Sequence, residues 1–567
     1  MTVRNTRRFT IIGLVVLLAS VWLAGGCHSD PQQTLILDVF DLVDRFYVFK
    51  VDRREMAGDA LAGLLDRLKY EVRAEVRTKE IHDYLLAREN GEDPTPPVRK
   101  EEDESPTPIP TPFDDIQIET SPVKITMNVG AAAFERELTS DKRDVAQVLL
   151  DGVEFIRQHI DTKKEPADLL QTALDAMLNK LDPHSGFLNL TDYSQLKQDT
   201  EGAFGGVGIE IGMSDGILTV IAPIEGTPAH LAGLLAKDRI VAIDGVESYG
   251  QTLNWAVKRI RGKVGEPVVL SVRRAGKKTP LDISVVRGKI KAVATKTRLL
   301  PGGIGHIRVI QFSARTQRDL LEAIRDFESQ PEKVRCLILD FRNNPGGLLE
   351  QSVAVADLFL NSGLIVNTIG RGFMEDREHF AGRQGTRTNI PLVAMVNSGS
   401  ASASEIVVGA LKDHGRALVV GYQTFGKGSV QSIFELPNRT GLRLTTAMHY
   451  TPSGASIQAH GITPHVRFEL PETETAFFSE SKLAGHLKNI TGDKAPDPDV
   501  SVAVDRLWYA YEKKGRVKRD AEPFSDESDL QLAFVRDLLD SPDLSVAALT
   551  ERARELTANL PPAPKVD

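Results

Sequence analysis

Apolar and polar positions along this chain change their period several times, and each change marks a different kind of structure. Near the start, Ala60, Leu61, Leu64, Leu65 and Leu68 recur at helical spacing, and the stripe returns 113 positions later as Ala173, Leu174, Met177, Leu178 and Leu181. Apolar residues three and four apart predict amphipathic helices. Helical amphipathicity alone produces part of that match, so a duplication stays open. Between the two lies a polar stretch from about Arg88 to Pro122, with Glu101-Glu102-Asp103-Glu104 and the prolines from Pro106 to Pro112. It holds too little apolar surface to fold and reads as a linker.

From Gly202 to about Gly288 the pattern shortens to β runs broken by glycines. Ile209–Ile211 and Leu218–Ile221 read as strands, Thr252–Ile260 as a helix, and Val268–Arg273 with Leu281–Val286 as closing strands. From Ile290 to Leu470, β runs alternate with helices. Val334–Phe341 precedes a helix near Leu348–Phe359, Leu392–Val396 precedes Ser402–Lys412, and Val430–Leu436 with Leu442–Tyr450 form a hairpin across Pro437-Asn438-Arg439. Such alternation predicts an α/β layer covered on both faces. Beyond about Thr473 the chain is charged, with helical patterns near Leu530–Leu539 and Val546–Leu556.

A length of 567 residues accommodates three or four domains, and 41% apolar content suffices for packed cores. The formal charge of −9 argues against a general affinity for nucleic acid or acidic headgroups. At the N-terminus, Arg4, Arg7 and Arg8 precede an apolar run from Ile11 to Gly26, too short for a membrane span and built like a secretory signal. Small residues directly before Cys27 resemble a bacterial lipoprotein signal, although Ala24 stands where a larger aliphatic is usual. Cys27 is then the lipidated first residue, which anchors the chain to a membrane on the periplasmic side of a bacterial envelope. An ordinary signal or an uncut anchor are the alternatives. Cys336, the other of two cysteines, then stands alone in an apolar run and reads as an inert buried thiol.

Three short stretches bring candidate chemistry. In Asn397-Ser398-Gly399-Ser400-Ala401-Ser402-Ala403-Ser404-Glu405-Ile406 an apolar strand runs through small residues into a helix. Serines there stand at a helix N-terminus, where unpaired N–H groups and the positive dipole end can hold a developing oxyanion. Taken alone, the stretch reads as a plain Ser N-cap. In Thr424-Phe425-Gly426-Lys427-Gly428-Ser429-Val430-Gln431 a lysine stands between two glycines after an apolar strand, a poor place for a routine surface charge. Burial there lowers an ammonium pKa and makes the lysine a general base at neutral pH. Gln431, four residues on and in strand register on one face, is placed to hold it. The preceding Gly421-Tyr422-Gln423 completes most of a P-loop, but Gly428 replaces the Ser/Thr that would hold magnesium and a strand follows, so nucleotide binding is rejected. In Asp340-Phe341-Arg342-Asn343-Asn344-Pro345-Gly346-Gly347-Leu348 a strand ends in a tight turn whose glycines let main-chain N–H groups approach a reacting carbonyl.

In this order, with Leu181-Asp182-Pro183-His184-Ser185 and Thr451-Pro452-Ser453-Gly454, these stretches resemble the carboxyl-terminal processing (tail-specific) serine proteases over roughly Leu170 to Val466. The resemblance implies Ser402 as nucleophile, with Lys427 as its base 25 residues later. It implies that Gln431 orients the lysine and that the amides of Gly347 and Ala403 form the oxyanion hole. Ser400, Ser404 and Asp413 become structural neighbours. His465 departs from the family, which usually has an acid there.

The module between is readable on its own. In Gly205-Gly206-Val207-Gly208-Ile209-Glu210-Ile211 a glycine-rich turn leads into a strand, and Pro228-Ala229, Ala232-Gly233-Leu234, Asp238-Arg239-Ile240 and Ile243-Asp244-Gly245 complete a PDZ pattern. Consecutive turn amides at Gly205, Gly206, Val207 and Gly208 can receive a terminal carboxylate while the strand edge pairs with an extended peptide. Val207, Ile209 and Ile211 are expected to line an apolar pocket that favours apolar tails.

The expected fold is multidomain α+β. Residues 1–26 are a lipoprotein-type signal, 27–87 an N-terminal helical segment, 88–125 a Pro-rich acidic linker, and 126–201 the helical part of the protease region. A PDZ domain at 202–289, a crotonase-like serine protease core at 290–470 and a charged helical tail at 471–567 follow. The expected partners are proteins or peptides with free apolar C-termini and a membrane reached through the lipid, with no nucleic acid; a homo-oligomer or adaptor stays open. No cofactor is called for, and the 12 histidines are scattered without a metal-binding pattern. A catalytically silent PDZ scaffold or chaperone, binding tails without cutting them, would be marked by loss of Ser402 or Lys427, and both are present. An acyl-CoA hydratase or isomerase would use the same core without a Ser–Lys pair.

Overall fold

A computed structural model describes residues 30–89, 116–160, 164–470, 479–489, 496–518 and 528–562, apart from 215–216, 225, 250, 278, 292, 372–375, 384–386 and 388. Cys27, its leader and the acidic part of the linker lie outside the described residues.

The two matching apolar stripes lie on helices Arg53–Glu89 and Pro166–Leu181 and bury into one core, shared with helices Pro31–Phe46 and Lys142–His159. That region is not purely helical. Strands Ile116–Thr120, Lys124–Val129 and Ala132–Glu137 form an antiparallel sheet where a linker and helices were expected. Its signal is a period-two alternation over very few residues, with Ile125 and Met127 wholly buried between half-buried Lys124 and Thr126 and exposed Asn128.

The protease-like part is built on a seven-stranded sheet in the order Thr295–Leu300, Ile304–Val309, Cys336–Asp340, Leu392–Val396, Ala417–Gly421, Val466–Glu469 and Val500–Ala503. All neighbours are parallel except the first pair. The three central strands are buried throughout, as continuous apolar runs in a doubly covered parallel sheet require. Alternate residues face opposite layers. Leu337, Leu339, Ala394, Val396 and Val419 pack on helices Thr316–Ser329, Leu349–Asp357 and Ala403–Asp413. Cys336, Ile338, Val393, Met395, Leu418 and Val420 pack on helices Val504–Lys513, Leu530–Leu539 and Val546–Ala558.

The expected C-terminal helices are therefore not a tail but the second layer on the seven-stranded sheet. Leu507, Tyr511, Leu530, Phe534, Val535 and Leu538 are buried by a sheet face that the other helices do not reach. Cys336 lies under this layer, and burial pushes its thiol up to about 11, which leaves it inert.

A second sheet joins Arg377–Phe380, Leu364–Gly370, Gly441–Tyr450 and Ser429–Glu435, the last two being the expected hairpin. Strand Gly186–Leu188 pairs with Gly441–Tyr450. Chain before and after the glycine-rich module thus meets in one sheet, and the module is an insertion. It leaves and returns through a two-stranded ribbon, Ala203–Gly206 against Gly288–Lys291. Its sheet runs Leu281–Val286, Pro267–Arg273, Arg239–Ile243, Ile217–Pro223 and Ile209–Ser214, with the last strand on an edge.

Candidate active site

The three candidate stretches converge at the ends of the central strands. Strand Leu392–Val396 runs through Asn397 to Ala401 into helix Ala403–Asp413, and Ser402 is its N-cap. Ser402 has φ 55° and ψ −114°, a conformation that L-residues rarely adopt and that persists only when the surroundings impose it. The neighbouring serines are committed elsewhere. Ser400 Oγ donates to the Phe341 carbonyl at 2.9 Å and Ser404 Oγ to that of Asn344 at 3.0 Å, whereas the Ser402 hydroxyl donates to none of the described residues. Asp413 accepts from the Ser453 N–H at 2.9 Å, away from the three.

What imposes the Ser402 geometry is Glu405, a carboxylate with no solvent exposure. Its Oε2 accepts from the N–H of Ser402 at 2.7 Å and from that of Lys427 at 3.0 Å. Its Oε1 accepts from the Thr424 hydroxyl at 2.6 Å and the Gly426 N–H at 2.7 Å. One side chain thus ties the serine turn and the lysine loop to a common point. Burial pushes the Glu405 carboxyl up to about 7, against the pull of four bonds that all ask for the ionised form.

The Pro-Gly-Gly turn is fixed to the serine turn by Asn344, also fully buried. Its carbonyl accepts from Ala401 N–H at 3.0 Å as well as from Ser404, and its side-chain oxygen holds the Gly346 N–H at 2.9 Å. Gly346 has φ 102°, and a Cβ there would stand 2.8 Å from both the Ala401 carbonyl and Ser402 Cβ, so the turn admits only glycine. The N–H groups of Gly347 and Ala403 donate to none of the described residues, and the latter is the first amide of a helix.

Lys427 sits in the loop before strand Ser429–Glu435, so the near P-loop is followed by a strand. Burial pushes its ammonium down to about 8, aided by the Arg443 guanidinium and opposed by Glu480, Asp182 and Glu405. His449 lies close by. Burial and the Lys427 charge push it down to about 3, and neither ring nitrogen has a hydrogen-bond partner among the described residues.

Gln431 stands differently from the reading by strand register. Its amide nitrogen donates to Ser429 Oγ at 3.0 Å and Thr445 Oγ1 at 3.3 Å, with no bond to Lys427 among the described contacts. The strand begins only at Ser429, and a bulge between Val430 and Gln431 shifts the register, so a count of four from Lys427 does not conserve the face. His465, the departure from the expected acid, accepts from the Val419 N–H at 3.0 Å, and burial keeps its ring neutral, pushed down to about 4.

A profile of peptidase family S41 matches residues 303–468, and a PDZ domain profile matches 205–285. A carboxy-terminal-processing protease of Bartonella bacilliformis is 46% identical over 346 residues, covering 60% of this chain and 79% of that protein. The chain belongs to the carboxy-terminal-processing proteases of peptidase family S41. A carboxyl-terminal-processing protease of Synechocystis is 39% identical over 53% of this chain and 71% of its own length. Among solved structures, a photosystem II D1 C-terminal processing protease is similar at 30% identity over 55% of this chain and 84% of that one, with a TM-score of 0.33. Like its relatives, this S41 chain is a serine protease.

In the PDZ domain of this S41 protease, Gly205 and Gly206 lie in the connecting ribbon, opposite Lys289 and Gly288. The N–H groups of Val207 and Gly208 donate to none of the described residues. The Val207 side chain is buried in the domain core rather than lining an outer pocket, because the turn closes over Ala229, whose N–H it accepts at 2.8 Å. Ile209 and Ile211 are only partly buried, on the edge strand Ile209–Ser214, next to helix Leu253–Ile260 with Leu253 and Trp255. Sequence reasoning missed Glu405 and Asn344. Ser402-x-x-Glu405 has the spacing of a capping box, which was the available signal; nothing in the doubled Asn343-Asn344 distinguished the buried one.

Proposed function

We propose that this protease cleaves proteins near their C-termini with Ser402 as nucleophile and Lys427 as general base, and that its PDZ domain presents apolar tails. The observation that carries this reading is the shared Glu405 oxygen, which holds the serine and lysine backbones side by side. The neutral lysine takes the Ser402 proton as Oγ attacks the scissile carbonyl. The oxyanion is received by the N–H groups of Gly347 and Ala403, and the lysinium then gives the proton to the leaving amine. Water attacks the acyl-enzyme by the same route in reverse. Gln431 is proposed to orient the lysine loop from the strand that follows it, where its amide nitrogen donates to Ser429 Oγ and Thr445 Oγ1.

In the PDZ domain, the free amides at Val207 and Gly208 receive the terminal carboxylate, and the tail pairs with the edge of Ile209–Ser214 while apolar side chains meet Ile209, Ile211 and Leu253. Amidating the C-terminus of a model substrate is expected to raise its apparent binding constant roughly ten- to a hundred-fold, as loss of a charged hydrogen bond of ~1.5–3 kcal/mol requires. Equal cleavage of acid and amide would remove the tail-binding role and leave the chemistry standing.

Cys27 is the proposed lipidation site, which puts the enzyme on the periplasmic side of a membrane. Cys27→Ser should leave it soluble or with its signal uncut, as fractionation and N-terminal sequencing would reveal. Wild-type protein that is soluble and starts at another residue would exclude the anchor.

A further inference from the structure

Glu480 follows the stretch matched by the family profile, which ends at 468. It stands at the start of a short 3-10 turn, Glu480–Lys482, with no solvent exposure. Two of its contacts lead to the loop that carries Lys427. The Glu480 N–H donates to the Phe425 carbonyl at 3.0 Å, two positions before the lysine. Its carboxylate accepts from Gln458 Nε2 at 3.0 Å, and Gln458 Oε1 accepts from the Gly428 N–H at 2.9 Å, one position after it. Both carboxylate oxygens also face His184 Nε2, at 2.8 and 3.0 Å, which fixes that ring nitrogen as the one carrying hydrogen. The turn is anchored further along, where Gln458 Nε2 donates to the Leu487 carbonyl at 3.0 Å and Asn489 Nδ2 to the carbonyls of Ser456 and Gln458 at 3.0 and 2.7 Å.

A carboxylate with no exposure is costly unless it is fully bonded. Here the bonds join three separate pieces of chain: the Leu-Asp-Pro-His-Ser turn before the PDZ insertion, the lysine loop, and the loop at 456–460. We propose that Glu480 is a positioning residue of the peptidase, holding the Lys427 loop directly at Phe425 and through Gln458 at Gly428, and supplying a negative charge opposite in effect to Arg443. The inference rests on Lys427 being the base.

The lysine must lose a proton to start the reaction and hold one to expel the amine. A site with Arg443 alone would make it a good base and a poor acid. The groups that face it are Arg443 and His449 from strand Gly441–Tyr450, Asp182 from the turn before strand Gly186–Leu188, Glu405 from helix Ala403–Asp413, and Glu480. Of the three carboxylates, Glu405 bonds the lysine's own backbone, and Asp182 is committed to the N–H groups of His184 and Ser185 and to the hydroxyls of Ser185 and Thr445.

Glu480→Gln keeps the shape and removes the charge. The test is the pH dependence of two rates in the full-length protein, kcat/KM on a peptide and the modification of Ser402 by a small fluorophosphonate. In the wild type both should rise through about 8. Losing an anion beside an ammonium destabilises the charged form, so in Glu480→Gln both acid limbs should move to lower pH. The plateau of kcat should fall roughly ten-fold or more, as expected for loss of a charge-assisted hydrogen bond. Glu480→Asp retains the charge at a shorter reach, so its limb should stay near the wild-type position while its plateau falls. Should Glu480→Gln fail to fold, a limb in Glu480→Asp displaced to lower pH, or an unchanged plateau, would overturn the proposal. A Glu480→Gln variant that loses turnover without moving the limb would show a merely structural contact and overturn it as well. The underlying reading fails separately: if Lys427→Ala keeps the wild-type limb and reactivity toward the fluorophosphonate, the lysine is not the base. A limb that vanishes in Lys427→Ala but stays put in Glu480→Gln sinks the role of Glu480 alone.

Discussion

Ser402→Ala and Lys427→Ala are each expected to lower peptide turnover by several orders of magnitude, with the double variant little worse than either single. Nucleophile and base act as a unit, so removing either forfeits the same step, and what survives is the contribution of binding and the oxyanion donors. The structure sharpens the choice among the serines. Ser400 and Ser404 donate their hydroxyls to the carbonyls of Phe341 and Asn344, so their loss should be felt in stability before chemistry. Steady-state kinetics on a peptide substrate, with calorimetry to establish folding, checks the set. Turnover persisting in folded Ser402→Ala, with Ser400→Ala inactive instead, would move the nucleophile.

Glu405→Ala is expected to be nearly as damaging, for a different reason. Deleting the carboxylate leaves the N–H groups of Ser402, Gly426 and Lys427 and the Thr424 hydroxyl without their acceptor in a closed space. Each unsatisfied buried donor costs about 1–3 kcal/mol, so the sum is comparable with the ~5–15 kcal/mol by which a domain is stable. Glu405→Gln is the informative variant. It fills the same volume but turns one acceptor into a donor, so it meets either the N–H groups of Ser402 and Lys427 or that of Gly426 with hydrogen against hydrogen. Melting temperature should fall less than in Glu405→Ala while kcat falls at least ~ten-fold, since misplacement of a catalytic group by about 1 Å costs up to ~10²-fold. Glu405→Gln with wild-type kcat would mean that the serine and lysine do not depend on their common tie.

Much of this was legible in the chain because it rests on local chemistry. Runs such as Leu392–Val396 and Ala417–Gly421 are apolar throughout because both faces are covered, and the helices and hairpin fall close to where periodicity puts them. What escaped reading depends on geometry that a one-dimensional pattern does not carry. The register of Gln431 is broken by a bulge, which adds a residue without changing composition. Val207 turns inward because the turn closes over Ala229, a contact made across the fold. The three-stranded sheet near Ile125 offers too few alternating positions to stand out from neighbouring helices. The C-terminal helices looked like a charged tail because their exposed faces carry the charges, while Leu530, Phe534 and Leu538 needed a sheet face from elsewhere to give them meaning.

That borrowed face has a consequence for the order in which the molecule is made. Arg342, at the end of the strand leading to the Pro-Gly-Gly turn, is paired with Asp340 and with Asp529, 187 residues further on. His184 meets Glu480 across 296 residues. Contacts of such separation require long loops to close before they return any stabilisation, so they form late. A chain that has emerged only as far as residue 470 leaves Ile338, Met395 and Leu418 facing water and Arg342 without its distant partner. The catalytic sheet is therefore finished by helices that lie beyond residue 500 in the chain. The protease thus passes through a stage of synthesis in which the sheet under its active site is covered on one face only.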